Sequence, residues 1–229
     1  MIKRLKILLA GEAGELAAWT QEAGGRWIRT CALVFFASCA VYGATFGLWR
    51  SEMQALSTAV KFPLVVMLTC VGNTVLNGFL ALVLGAGLSL RQSCVAILMS
   101  FTIMGMVLAA FAPVMVFLCW NVPSIYSPNA ATGQSLTLLA HVTLIAFAGI
   151  VGNRRLWQLL RHFTGSASKA NMVLFSWLGG NLLLGSQISW ILRPWIGRPD
   201  SPVHFFSEQP LQGNFFEAVW HAVTVLLHL

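Results

Sequence analysis

Charge is what this chain has least of. Only 9% of its 229 residues are Asp, Glu, Lys or Arg, against about 25% in soluble domains, and that scarcity excludes a water-soluble globule. No polar stretch is long enough to build a second independent fold, and no internal repeat or low-complexity tract is present. The five cysteines, Cys31, Cys39, Cys70, Cys94 and Cys119, show no C-x-x-C pair and no metal-type spacing. They read as small apolar packing residues, so no metal and no cofactor is expected. Lys3, Arg4 and Lys6 resemble the basic end of a signal peptide, but the apolar run that follows stops at Gly11-Glu12. That is too short for a cleavable signal, and the first true span is expected to act as an uncleaved anchor.

What fills the chain instead is apolar sequence, 57% hydrophobic residues gathered into five long stretches at 31–49, 62–88, 93–119, 134–153 and 171–192. Each is long enough to cross a hydrocarbon core of about 30 Å as a helix. The expected fold is all-α: one polytopic membrane helical bundle over 1–229 with about five transmembrane helices, flanked by N- and C-terminal interfacial amphipathic helices.

Charge placement orients the spans. Lys3, Arg4, Lys6, Arg26, Arg29, Arg91, Arg154, Arg155, Arg161 and Lys169 fall on one side, and Arg50, Lys61, Arg193 and Arg198 on the other. By the positive-inside rule the N-terminus is cytoplasmic, and five crossings put the C-terminus outside a cell inner membrane. Trp27, Trp49, Trp120, Trp157, Trp190 and Trp195 flank the stretches, where an amphipathic ring prefers the interface. Trp177 lies inside the fifth and reads as a packing residue. The net charge of +7 is densest at 153–162, a short juxtamembrane loop suited to anionic lipid headgroups rather than to nucleic acid.

Two segments are amphipathic without the length to cross. Residues 214–229 set Phe215, Phe216, Val219, Trp220 and Val223 against Glu217, His221 and Thr224 at helical spacing, which places a helix in the outer interface or over the bundle. A sixth span here would bury Glu217 and two histidines. Residues 2–23 pair Leu5, Leu8, Leu9, Leu16 and Trp19 with Lys and Glu and end at Gly24-Gly25, a cytoplasmic interfacial helix.

Polar residues inside the stretches must find partners or a wet cavity. Thr69, Asn73 and Asn77 share one face of the second, and Asn181, Gly185 and Ser189 share one face of the fifth with Gln187 alongside; His141 and Thr143 lie in the fourth. Asn73, Asn77, His141, Asn181 and Gln187 are therefore either interhelical glue or the lining of a pocket. No Asp, Glu, Lys or Arg lies deep in any stretch, which disfavours proton- or ion-coupled transport. Pro63 is expected in the first turn of the second span and Pro113 is expected to kink the third.

The outer loop at 193–213 carries Arg193, Trp195, Phe205 and Phe206, which with Trp220 suit an interfacial docking surface. There Arg193 caps the fifth span and reaches headgroups, and Pro194 stops the helix. Asp200, His204 and Glu208 are spaced by four, a metal or acid/base pattern on a helix, but Pro199, Pro202 and Pro210 argue against a helix and hence against an enzyme site.

The block 185–197, continuing through His204-Phe205-Phe206 to 213–219, resembles the C-terminal block of an uncharacterised family of small bacterial five-span membrane proteins. The block from Lys61-Phe62-Pro63-Leu64 to 88–93 is similar to that family's second span. Five spans behind a cytoplasmic N-terminus also resemble Yip-type proteins in architecture. The resemblance implies a fold and carries no activity. The expected role is a non-catalytic scaffold or accessory subunit of a larger inner-membrane assembly with protein partners in the bilayer. The alternative is a small-solute or lipid transporter or channel acting as an oligomer.

Overall fold

The computed structural model describes residues 7–9, 13–22, 24–83, 89–197 and 203–227. Helices account for the regular structure, and no strand occurs among the described residues. They are α1 (Ala13–Glu22), α2 (Gly25–Leu48), α3 (Glu52–Val83), α4 (Leu90–Asn121), α5 (Ala130–Thr164), α6 (Ala167–Ile191) and α7 (Phe215–Leu227). Local sequence sets several ends. Ser89 and Gln92 form a reciprocal capping box that starts α4. Ser166 accepts from the Lys169 N–H at the start of α6, and Gly165, at φ 63°, ends α5 in the left-handed region.

The five long helices close into a bundle in which α2 packs on α3 and α4, α4 on α5, α5 on α6, and α6 back on α3. Four of them are long and apolar enough to cross a membrane: Gly25–Leu48, Glu52–Leu80, Leu90–Asn121 and Ala130–Thr164. The fifth expected span, α6, is 25 residues long. It falls short of those four in apolar character, because Asn171, Ser176, Asn181, Ser186 and Gln187 dilute it.

Close helix approach is built on glycine. Gly43 and Gly47 of α2, four apart, face α3. A Cβ at Gly43 would stand 2.7 Å from both Phe62 Cβ and the Thr58 carbonyl oxygen, and one at Gly47 would overlap the backbone of Gln54 and Ala55. This is a small-xxx-small contact, and the sequence reading missed it. Gly152 of α5 does the same against α4, where its Cβ would lie 3.0 Å from the Ser100 carbonyl.

Three boundaries differ from expectation. First, α3 begins ten residues before the expected second span, so Pro63 is in the helix interior, and Lys61 is fully buried on the third turn. Second, α5 continues past 153 to Thr164, so the basic segment 153–162 is helix rather than loop. Third, α4 runs unbroken through Pro113. Several tryptophans also turn inward. Trp27 is buried and stacks edge-on with Trp19, and Trp49 is buried with its indole donating to Pro123 O at 2.9 Å, whereas Trp120 is exposed. The docking of α1 and Leu8 supplies the cover for Trp27. Trp177 is fully buried.

Candidate functional site

One face of α3 is polar from Gln54 to Asn77, broken only by buried Val65. Gln54, Thr58, Lys61, Thr69, Asn73 and Asn77 recur every three, four or eight residues, and each is buried. The recurrence keeps them on one helical stripe. Opposite lies α6, antiparallel: Gly180 faces Asn73 and Leu76, Gly185 faces Thr69, and Pro194, just past the end of α6, faces Gln54 and Lys61. Thr58 and Thr69 return their hydroxyls to their own helix, so the exposed chemistry of the stripe lies at its two ends.

At the end expected from charge placement to lie outside, here called outer, the chain leaving α6 is tied down. Gln54 Nε2 donates to the carbonyls of Pro194 and Trp195 at 3.0 and 2.8 Å. Lys61 Nζ donates to Pro194 O at 3.1 Å and sits 4.8 Å from the centre of the Phe205 ring. Gln134 of α5 donates to Gly197 O at 2.7 Å. Arg193 caps the end of α6 as expected and also binds its own loop. Its guanidinium spreads over the carbonyls of Trp190, Gln209, Pro210 and Gln212 and stacks on the Trp190 ring at 4.1 Å. A planar fork of five donors suits that fan, and an ammonium would not. Trp195 turns inward, its indole donating to Ser189 O at 2.8 Å, and joins Phe46 and Phe62. Phe205, Phe206 and Trp220 remain exposed on the outside of this platform. Below it, α7 packs on α5 and α6 through buried Ala222.

At the inner half the stripe ends in carboxamides. Asn73 and Asn77 are both fully buried, and neither Oδ1 nor Nδ2 of either has a hydrogen-bond partner in the protein. Asn181 Oδ1, beside Gly180, is likewise buried without a partner, as is the indole N–H of Trp177 one turn inward. A Cβ at Gly180 would lie 3.1 Å from Asn73 Oδ1 and 3.9 Å from Asn77 Oδ1, so both carboxamides point at the glycine.

The structure therefore divides the polar residues read from the sequence. Asn73 and Asn77 face Gly180 across the α3–α6 seam, and Asn181 is the next residue of α6. His141 does not join them. It lies in an aromatic cluster stacked on Phe46 at 3.7 Å, sharing a 3.0 Å hydrogen bond with the Tyr42 hydroxyl. Gln187 is exposed on the outer side of α6. His204 and Glu208 are exposed on a non-helical segment, and Asp200 lies outside the described residues. Missed altogether were Gln54, Tyr42 and Gln134. The signal for Gln54 was available, since extending the stripe outward from Asn73 by steps of four and three passes through Thr69, Lys61, Thr58 and Gln54.

Fold and composition together define a helical membrane protein. Comparison with protein-family models, curated proteins and solved structures finds no match for this chain.

Proposed function

We propose that this is a non-catalytic scaffold or accessory subunit of a larger assembly in a bacterial inner membrane, touching lipid along its helices and protein partners at its outer face. In this reading α6 is the fifth crossing, the N-terminus is cytoplasmic, the C-terminus is outside, and no nucleic acid is bound. The resemblance to small bacterial five-span proteins agrees with that topology. The observation that carries the reading is the outer platform. Around the points fastened by Gln54, Lys61, Gln134 and Arg193, Phe206 is 56% and Leu211 81% exposed, and Trp220 of the following α7 is 67% exposed. Large apolar side chains held on tied-down backbone have already met part of the entropy cost that contact with a partner would impose.

The test is gentle purification of tagged protein from its host in native nanodiscs, with mass spectrometry of what accompanies it. A stoichiometric partner lost on Phe206→Asp or Trp220→Asp supports the reading. Recovery of the chain alone, under conditions that keep known assemblies of the same membrane intact, would refute it. One observation favours the transporter or channel reading instead: the carboxamides of Asn73 and Asn77, which glue would bond to each other, are unpartnered.

A further inference from the structure

We infer that the α3–α6 seam at Asn73, Asn77 and Asn181 is a binding site for a small uncharged solute of the amide or urea type. The unpartnered buried groups define the ligand. Asn73, Asn77 and Asn181 offer three carboxamide oxygens, and Asn73 and Asn77 two carboxamide nitrogens. A molecule answering them must both donate and accept. A carboxamide is the planar group that pairs with another carboxamide through two reciprocal N–H···O bonds.

Charge argues the same way. Among the described residues Lys61 is the only Lys, Arg, Asp or Glu in the buried class. It stands twelve residues outward on the stripe, about 18 Å along the helix, where its field opposes entry of cations. Nothing at the carboxamides themselves is ionised to hold an anion.

Only Ala170, Val173 and Trp177 of α6 are buried, all in its inner half, and from 178 to 191 the helix is partly exposed. Gly180 leaves a surface without side chain over the two asparagines. The seam thus sets the polar face of α3 against a stretch of α6 that bears no side chain at Gly180.

The site stands on the seam alone and is independent of any partner at the outer face. It supplies a solute class for the transport reading, and binding and flux are measured apart so that the two can fail separately. Full-length protein in nanodiscs is melted in increasing acetamide, with acetate and N,N-dimethylacetamide as matched probes that lack neutrality and N–H donors respectively. At about a hundredfold excess over Kd, acetamide raises Tm by about 5–10 °C, and the rise grows with the logarithm of its concentration. Acetate and N,N-dimethylacetamide do not. The Asn73→Leu/Asn77→Leu variant melts without responding to acetamide. Gly180→Ala, which keeps both asparagines and puts a methyl 3.1 Å from Asn73 Oδ1, responds several-fold more weakly. A wild-type shift no larger than that in N,N-dimethylacetamide, equal shifts with acetate, or an undiminished shift in both variants each overturns the site. Swelling of proteoliposomes in acetamide then decides transport: binding without swelling retains the site and removes the carrier.

Discussion

The Gly43/Gly47 contact allows a stability prediction to be worked from distances. An alanine methyl at Gly43 would stand 2.7 Å from Phe62 Cβ and from Thr58 O, and 3.3 Å from Ala59 Cα. Carbon pairs rest at about 3.5–4.0 Å, so α3 must recede by close to 1 Å along this seam. The tilted Phe46–Phe62 pair at 5.3 Å and the Tyr42–Phe62 pair at 5.6 Å lie on the same seam and loosen with it. Overpacking of this kind costs about 1–3 kcal/mol. Taking about 2 kcal/mol at about 2–4 °C per kcal/mol for a chain of this size, Gly43→Ala lowers Tm by about 4–8 °C. Gly47→Ala, where the methyl meets backbone that cannot rotate away, falls at or beyond the upper end. Gly149→Ala on α5 is the control, since nothing lies within 4 Å of its Cβ, and it gains up to about 1 kcal/mol of helix propensity. Unfolding is followed with a thiol-reactive dye, because Cys31 and Cys39 are buried and react only when the bundle opens. Gly43→Ala melting within 1 °C of wild type, or Gly149→Ala falling as far as Gly43→Ala, would show that the α2–α3 approach is not set by these glycines.

Three further outcomes follow from the hydrogen bonds. Arg193→Lys gives up a fan onto four carbonyls for a single ammonium and destabilises the loop by about 2 kcal/mol. It should speed protease cleavage between 203 and 213 at least tenfold, and unchanged cleavage would deny Arg193 that role. His141→Phe and Tyr42→Phe each leave the other's polar group buried and cost about 1–3 kcal/mol, while the double variant is nearly neutral; additive losses would refute the pairing. Gln54→Leu releases one of two donors on Pro194 O and the donor on Trp195 O and lowers stability by about 1–3 kcal/mol, whereas an unchanged Tm would mean those carbonyls find other donors.

The all-helical class was legible because lipid forces helices to satisfy their own backbones, and apolar length alone marks four of the long helices, α6 being diluted by its polar residues. The boundaries were less so. Lys61 and Gln54 looked like the outside of a span, yet helix α3 carries both inside the bundle because Pro194 and Trp195 return to cover them. A cover more than a hundred residues downstream leaves no local signature. The Asn73, Asn77 and Asn181 grouping was recoverable from four-residue spacing, which fixes a face. His141 was grouped with them wrongly, since spacing within one helix does not reveal its depth relative to another. Its neighbours Tyr42 and Phe46 belong to α2, at the outer end of the bundle. Arg193 was read by its position beside the interface, and the carbonyls it binds come from a turn whose shape the sequence does not declare.

The long separation between α3 and its cover bears on biogenesis. Gln54 and Lys61 emerge from the ribosome 133–141 residues before the carbonyls that will receive them. At about 5–20 residues per second that is an interval of roughly 7–30 s. Throughout it, a lysine and two asparagines of α3 sit in or beside the translocation machinery without α6 against them. A nascent bundle of α2 to α5 therefore carries an uncovered polar stripe, and delivery of α6 is the step that covers it.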